Sequence, residues 1–266
     1  GASLSLLSGE EFGGELQLSG GSDTVGGTAN ASVSGTGTEL IAEDGYIWVG
    51  RNIGEASLTV SAGASVQASG LRAGDKGTGS ITIEGDGTAV TLGDENGMVD
   101  PWGTMRIARE GGTGSLILRD GASLSLLSGE DGEGNLHGGS LILSGDGDTV
   151  GGTANASVSG TGTELLVEDG DITVGHNDGE ANLTVSAGAR VQADSIHAAR
   201  TSNSTGSLTI EGAGTAVTLG GESGSGREGF MRIAEEGGTG SLILRDGASL
   251  SLLSGEEFGG ELQPVS

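Results

Sequence analysis

Adjacent acidic residues are the first side chains in this sequence that could do chemistry. Glu43 and Asp44 stand immediately before a glycine, and Glu168 and Asp169 repeat this arrangement later in the chain. Hydrolysis of a glycosidic bond needs two carboxylates roughly 5 to 10 Å apart, with one of them kept protonated by its surroundings. Neighbouring acids in an exposed turn share a single environment, which gives neither of them that difference. The pattern favours a turn, and we predict no catalytic residue in the chain.

Metal and thiol chemistry are limited by the residue types present. The chain has no Cys, which excludes disulfides, thiolate metal sites and a Cys nucleophile. The three histidines, His137, His176 and His197, occur in different contexts and are interpreted as solvated side chains. Acid-rich turns at 94–100 and 146–148 match neither the EF-hand loop nor the nonapeptide calcium repeat. We therefore expect no cofactor, with diffuse counterion binding preferred over a specific calcium site.

Aromatic side chains are rare here and are the best candidates for contacting a partner. Tyr46 and Trp48 alternate with Ile47 and Val49, and the corresponding segment 171–174 reads Asp-Ile-Thr-Val. Because the two aliphatic positions are kept, they are predicted to face inward, which leaves Tyr46 and Trp48 facing outward. An exposed pair of rings can stack on a sugar or anchor a protein. The alternative is that a neighbouring loop covers them.

Two longer segments are predicted to protrude from the repeat described below. The spacing of strand starts stretches to 35 residues after Ser80 and to 34 after Ser207, and the extra length falls at Asp94–Thr104 and Gly221–Phe230. Loops on a rigid scaffold are where binding residues tend to lie. The large side chains in or at the ends of these segments are therefore further candidate partner contacts, and they are Met98, Trp102 and Phe230. The alternative is that they only pack over the edge of the fold.

Composition excludes several classes of function. The chain has 266 residues, of which 57 are Gly and 2% are aromatic, and its formal net charge is −26. Such a charge repels nucleic acid and anionic membrane surfaces, so neither is an expected partner. No apolar run approaches the roughly 20 residues that a membrane-spanning helix needs. A core, if there is one, must be built from Val, Ile, Leu and Ala.

A long internal repeat divides the chain. The segment Val25–Leu40 recurs without change at Val150–Leu165, a shift of 125 residues. Internal repetition of this kind is typical of solenoids and other repeat architectures. We predict a single solenoid fragment of a longer protein, with one copy at 25–149, a second at 150–266, and the tail of a preceding copy at 1–24.

A shorter unit lies within each copy and indicates the fold. Leu58 with Val60, and Ile81 with Ile83, occupy alternate positions between hydroxylated residues, which is the pattern of a strand with one buried face. Gly-rich pairs follow these strands, where a chain must turn a corner. Ten unit starts, near 15, 32, 57, 80, 115, 140, 157, 182, 207 and 241, give a mean spacing of about 25 residues. This is the coil of a three-faced β-solenoid, so the sequence predicts about ten coils in a rod about 50 Å long.

The repeats also resemble a known family. Strands such as GTGSITI (77–83), turns such as DGASLSL (120–126) and AGASVQA (62–68), and segments such as IWVG (47–50) and ITVG (172–175) are similar to the passenger domains of bacterial autotransporter adhesins, the pertactin-like β-helices. The resemblance covers about Glu15 to Gly255 and lies in the pattern, not in an invariant site. It implies an all-β, right-handed parallel β-helix, exported by a Gram-negative bacterium to the cell surface or released. No Gly-Asp-Ser-Gly nucleophile motif of the protease members occurs.

Three hypotheses about function follow, and they belong to different classes. The first is a non-catalytic extracellular adhesin segment that binds a host or bacterial surface protein, a glycan, or other copies of itself. The second is a structural spacer that holds a distal domain away from the cell, which the near-identical tandem copies favour. The third and least favoured is a carbohydrate-active enzyme, because some β-helices degrade polysaccharides and fold analogy alone does not carry that activity.

Overall fold

The fold is seen in a computed structural model of the chain. It describes residues 1–7, 13–21, 26–93, 102–145, 150–220 and 228–254, and the backbone of 261–264. The described residues form β-strands throughout, with one short 3₁₀ turn at Glu235–Gly237 and no α-helix.

The strands, in chain order, have the following bounds: β1 Ser3–Leu6, β2 Leu16–Leu18, β3 Thr28–Ser34, β4 Glu39–Arg51, β5 Glu55–Ser61, β6 Ser65–Asp75, β7 Thr78–Glu84, β8 Ala89–Leu92, β9 Thr104–Ile107, β10 Thr113–Arg119, β11 Ser123–Leu126, β12 Gly129–Glu130, β13 Leu136–His137, β14 Ser140–Leu143, β15 Thr153–Ser159, β16 Glu164–Val167, β17 Asp171–Val174, β18 Glu180–Ser186, β19 Arg190–Ala193, β20 Ser195–Ala198, β21 Thr205–Glu211, β22 Ala216–Leu219, β23 Phe230–Ile233, β24 Thr239–Arg245, β25 Ser249–Leu252 and β26 Glu261–Pro264.

Two large parallel sheets dominate the structure. The smaller has eight strands in the order β24-β21-β18-β15-β10-β7-β5-β3, and each strand pairs with its neighbour over seven residues. The larger has sixteen strands and is made of two parallel stacks, which are joined where β4 and β6 run through both. The chain visits the eight-stranded sheet, then the first stack (with β8, β11 and β16), then the second stack (with β9, β14 and β17), and returns. This is the architecture of a parallel β-solenoid, as predicted.

The strand starts do not all lie on the same face. Eight of the ten predicted unit starts fall in the eight-stranded sheet, whereas those near 15 and 140 are β2 and β14 of the second stack. The reason is that aliphatic and polar residues alternate in the same way on every face. The alternation therefore marks a strand without showing which sheet contains it.

The core is aliphatic and continuous, as the composition required. Leu58 and Val60 in β5, and Ile81 and Ile83 in β7, are completely buried. Each stacks on the equivalent residue of the next strand, since β5 and β7 pair with Leu58 opposite Ile81 and Val60 opposite Ile83. Consecutive strands lie about 4.8 Å apart, so these rows bury one another along the whole solenoid.

A buried threonine closes the corner after several strands of the eight-stranded sheet. The hydroxyl groups of Thr88, Thr163 and Thr215 each donate to the carbonyl oxygen four residues earlier, at 2.8 to 2.9 Å. Each hydroxyl also accepts a hydrogen bond from a glycine N–H in the corner of a neighbouring coil, at 2.9 to 3.0 Å. The corners are thus tied to one another along the solenoid.

Candidate functional site

The second stack brings the predicted aromatic residues together with arginines. Ile47 and Val49 are buried in the core, so the alternation along β4 directs Tyr46 and Trp48 to the opposite face. Trp48 is in register with Arg72 of β6. Arg72 is in register in turn with Arg106 of β9. With strands about 4.8 Å apart, the three side chains form one outward row.

The rings and guanidinium groups are in direct contact. The ring centroids of Tyr46 and Trp48 are 6.2 Å apart at an interplanar angle of 46°. The guanidinium carbon of Arg72 lies 4.7 Å from the Tyr46 centroid and 4.5 Å from the Trp48 centroid. That of Arg51 lies 4.3 Å from the Trp48 centroid. Each such cation–π contact contributes roughly 0.5 to 2 kcal/mol, depending on how far it is desolvated. We call Tyr46, Trp48, Arg51, Arg72 and Arg106 the basic-aromatic patch.

Trp48 is less accessible than the sequence suggested. It faces away from the core, as predicted, yet only 8% of its surface is exposed. Arg51 and Arg72 lie over its ring, so arginines of β4 and β6 cover it. Tyr46 and Arg72 are half-buried and present the accessible part of the patch. A contact role for Tyr46 and Trp48 stays a prediction, and Arg72 joins them as a residue that the sequence reasoning missed.

Positive charge is concentrated around this patch. Five of the eleven basic residues of the chain lie between 51 and 109, in the second stack or directly after its strands. Lys76 pairs with Glu110 at 3.1 Å, and Arg51 lies 4.0 Å from Glu15. Arg72 contacts the two rings instead, and no described carboxylate forms an ion pair with it. Burial lowers the pKa of the Arg72 guanidinium, and the nearby charge of Arg106 lowers it further.

Trp102 lies at a second place, against a short hairpin formed by β12 and β13. Its ring centroid is 4.2 Å from that of His137, at an interplanar angle of 30°. His137 Nε2 lies 3.0 Å from Asp131 Oδ2, and Asp131 also accepts hydrogen bonds from Asn135. These bonds, first that of the Asn135 side chain and then that of His137, hold the pKa of Asp131 well below its usual value. Trp102 therefore packs on the hairpin. His137 pairs with Asp131, whereas the sequence analysis interpreted it only as a solvated side chain.

Phe230 lies at a third place, beside a buried histidine. Its ring meets the His197 ring edge-on, with centroids 5.4 Å apart, and the Arg232 guanidinium carbon lies 4.8 Å from the Phe230 centroid. His197 Nδ1 is 2.6 Å from Glu235 Oε2, and Arg232 Nη1 is 3.1 Å from Glu235 Oε1. The expectation of a solvated His197 is wrong, since only 3% of its surface is exposed. The paired Glu235 of the turn after β23 explains the burial.

The remaining predicted positions carry no assembled site. Met98 and both acid-rich turns considered for calcium lie outside the described residues. Asp44 and Asp169 both have a φ of 49°, a left-handed conformation typical of turns, but the expectation of an exposed turn is wrong for Asp169, of which only 8% is exposed. Across the ranges that the structure describes, no group of three or more His, Cys, Asp or Glu side chains is arranged to hold a metal ion. Nor does any helix in those ranges have the length and apolarity to cross a membrane.

The three aromatic places are separate, and only the first combines rings with several cations. Comparisons with protein-family models, with curated proteins and with solved structures found no match to this chain. The resemblance to autotransporter passenger domains therefore remains a hypothesis. The basic-aromatic patch is the arrangement best suited to contact a partner, because it offers accessible cations beside aromatic surface.

Proposed function

We propose that this chain is a non-catalytic binding rod, an extracellular segment of a bacterial autotransporter-like adhesin, and that it contacts an anionic partner through the basic-aromatic patch. The observation that carries the proposal is the environment of Arg72. In a chain with a net charge of −26, this half-buried guanidinium lies against two aromatic rings and beside a second arginine. A guanidinium held in this way is positioned to bind an anionic group of a partner.

The rod is inferred to be a right-handed solenoid with three faces. Right-handed winding is expected because connections between parallel strands of one sheet are overwhelmingly right-handed. Eight strands of the eight-stranded sheet are each followed by strands of the first and second stacks, which corresponds to eight full coils. β1 and β2 add part of a further coil. The patch thus lies on one face of an elongated scaffold, within its first three full coils.

The chemistry of the patch selects the class of ligand. Arginine binds planar or tetrahedral oxyanions through two parallel N–H donors, and it does so more strongly when it is desolvated. Aromatic rings beside it can stack on the face of a sugar. A carboxylated or sulfated glycan of a host or bacterial surface satisfies both features at once. The surrounding acidic surface repels such a ligand elsewhere, so we expect binding to be confined to the patch.

The test compares two arginines that differ in their surroundings. Arg72→Gln removes the charge from the patch, whereas Arg119→Gln removes one from the eight-stranded sheet, where Arg119 pairs with Glu84. Binding is measured to an immobilised sulfated polysaccharide, with its desulfated form as reference. We expect Arg72→Gln to weaken binding at least about tenfold, equivalent to about 1.4 kcal/mol, and Arg119→Gln to leave it unchanged. Equal binding by the wild type and Arg72→Gln would exclude the patch.

A structural spacer is the second candidate function. The burial of Trp48 favours it, because a ring covered by two arginines also serves simply to hold adjacent coils together. A spacer predicts that the isolated chain binds neither cells nor either polysaccharide, and that Trp48→Ala lowers thermal stability. A carbohydrate-active enzyme remains the least favoured hypothesis. It predicts release of reducing sugar from bacterial or host glycans by the wild-type chain.

A further inference from the structure

The outer face of the second stack occurs in two versions, one in each copy of the long repeat. In the first copy, Arg72 of β6 is in register with Arg106 of β9. In the second copy, His197 of β20 is in register with Arg232 of β23. His197 thus stands at the position of Arg72, and Arg232 stands at the position of Arg106. Both copies therefore place two basic side chains side by side on adjacent strands.

The turns that follow β9 and β23 also correspond. Ala108 and Ala234 come directly after these strands, with φ of 60° and 62°, and two positions later φ is again positive, at 52° and 47°. Each alanine donates its N–H to the carbonyl oxygen of the equivalent alanine one coil earlier, at 2.7 and 2.8 Å. The next residue is Arg109 in the first copy and Glu235 in the second. One backbone turn therefore presents a guanidinium in one copy and a carboxylate in the other.

The carboxylate of Glu235 lies between the two basic side chains of the second copy. Its Oε2 is 2.6 Å from His197 Nδ1, and its Oε1 is 3.1 Å from Arg232 Nη1. Each oxygen thus contacts the side chain of a different strand. Only 14% of the Glu235 side chain is exposed, so this is a desolvated contact. The second copy shows that this pair of positions accepts a carboxylate.

The first copy adds a third arginine at the turn position instead. Arg109 Nη1 lies 3.8 Å from Asp75 Oδ1 and 3.2 Å from Oε1 of the next residue. Burial is the main cause that lowers the pKa of the Arg72 guanidinium, and the nearby charges of Arg106 and Arg109 lower it further. Like charges that act on one another in this way are stabilised when an anion binds among them.

We propose that Arg72 and Arg106 bind a carboxylate of the partner in the position that Glu235 takes between His197 and Arg232. Glu235 is then an internal counterpart of the ligand. This inference rests on the proposed function and narrows it, because it names the group that the arginines recognise. The partner is a glycan that contains uronic acid.

A uronic acid matches the surroundings of this position in two respects. Its carboxylate has the planar geometry of the Glu235 side chain, so each oxygen can accept a charge-assisted hydrogen bond from one arginine. Its sugar ring has a face that can stack on Tyr46, the more accessible ring of the patch. The methyl ester of the same sugar keeps the ring and loses the charge, which makes it the matched control ligand.

The first test compares equivalent arginines of the two copies. Binding is measured to immobilised polygalacturonic acid and to its fully methyl-esterified form. The wild type should bind the acid at least about tenfold more tightly than the ester, and Arg106→Gln should weaken binding of the acid by about tenfold. Arg232→Gln should leave it unchanged, because Glu235 already occupies that guanidinium. Equal binding of acid and ester, or an equal loss in both variants, would overturn the proposal.

The second test gives the first copy the carboxylate of the second. Arg109→Glu should place an internal carboxylate against Arg72 and Arg106, and it should weaken binding of polygalacturonic acid at least about tenfold. Lys76→Glu is the control, since it changes the charge by the same amount at a residue that pairs with Glu110. Salt screens that change, so it should weaken binding less than about threefold. Equal losses would show that net charge alone decides binding. If Arg109→Glu does not fold by circular dichroism, the comparison of Arg106→Gln with Arg232→Gln still decides.

A failure of the proposed function has a different signature. If Arg72→Gln binds both the sulfated polysaccharide and polygalacturonic acid as the wild type does, the binding role of the patch falls and this proposal falls with it. If Arg72→Gln weakens binding of the sulfated polysaccharide while acid and ester bind alike, the proposed function stands and the carboxylate assignment is overturned.

Discussion

The hydroxyl group of Thr163 links two corners of the solenoid that are 42 residues apart in sequence. It donates to the carbonyl oxygen of Ser159 at 2.9 Å and accepts the N–H of Gly121 at 2.9 Å. Thr163 is completely buried, so its hydroxyl group depends on these two partners. The same double hydrogen bond at Thr88 and Thr215 makes this a repeated feature of the fold.

Replacing this threonine should destabilise the solenoid. Thr163→Val keeps the shape of the side chain but leaves the N–H of the half-buried Gly121 without its acceptor, which costs about 1 kcal/mol. Thr184→Val is the matched control, because Thr184 lies on the outer face of β18. Urea denaturation followed by circular dichroism should show a lower midpoint for Thr163→Val alone. Equal midpoints for the two variants would mean that the hydroxyl bridge contributes nothing.

The hairpin next to Trp102 should be sensitive to acid. The pKa of Asp131 is lowered in the folded chain, so its contribution to stability is present above the unfolded value of about 3.9 and is lost as pH falls towards the folded value. As pH falls well below about 4 and approaches the lowered folded pKa, protonation of Asp131 should weaken its bonds to Asn135 and His137 and release Trp102 from the His137 ring. The indole N–H signal of Trp102 in a nitrogen-15 NMR spectrum reports this change.

The control for the acid transition lies in the same hairpin. Asp131→Asn should shift the Trp102 signal towards its acid position already at neutral pH and remove the transition. Glu133→Gln should leave the transition in place, because the bond that links Glu133 to Asp131 uses its backbone N–H. A Trp102 signal that moves with pH in Asp131→Asn as it does in the wild type would assign the transition to another group.

Much of the fold was predictable from the sequence because it depends on local alternation. The inward rows that contain Leu58 and Ile81 follow from residues two apart in one strand, and the structure confirms them. The cover over Trp48 could not be predicted in this way. Arg72 comes from the next coil, and its position over the ring depends on the register of two strands 24 residues apart.

Comparison of the two copies also concealed parts of the candidate site. The position that corresponds to Trp48 in the second copy is Thr173, so the copies do not share the patch. The sequence indicated a solvated His197 because its partner, Glu235, is 38 residues away. Glu235 lies in a turn, and the alternation of strand residues says nothing about the side chains of turns. Contacts that occur in only one of the two copies are lost when the copies are compared position by position.

The left-handed corner residues lead to a prediction of increased stability. Ala187 precedes Gly188 in a corner and has a φ of 55°, a conformation that costs a residue with a side chain roughly 1 kcal/mol or more. Asp120 and Asp246 occupy the same place before a glycine in other corners, with φ of 58° and 59°. Asparagine tolerates this conformation better than alanine does, and it adds no charge.

Ala187→Asn should therefore raise the free energy of unfolding, by about 0.5 to 1 kcal/mol if most of the strain is relieved. Ala216→Asn in β22 is the control, since that half-buried strand residue does not have a positive φ. It should leave stability unchanged or lower it, because asparagine is disfavoured in strands. Thermal melts at matched concentration measure both variants. A gain for Ala216→Asn equal to that for Ala187→Asn would show that the benefit comes from added polarity and that the corner conformation stores no strain.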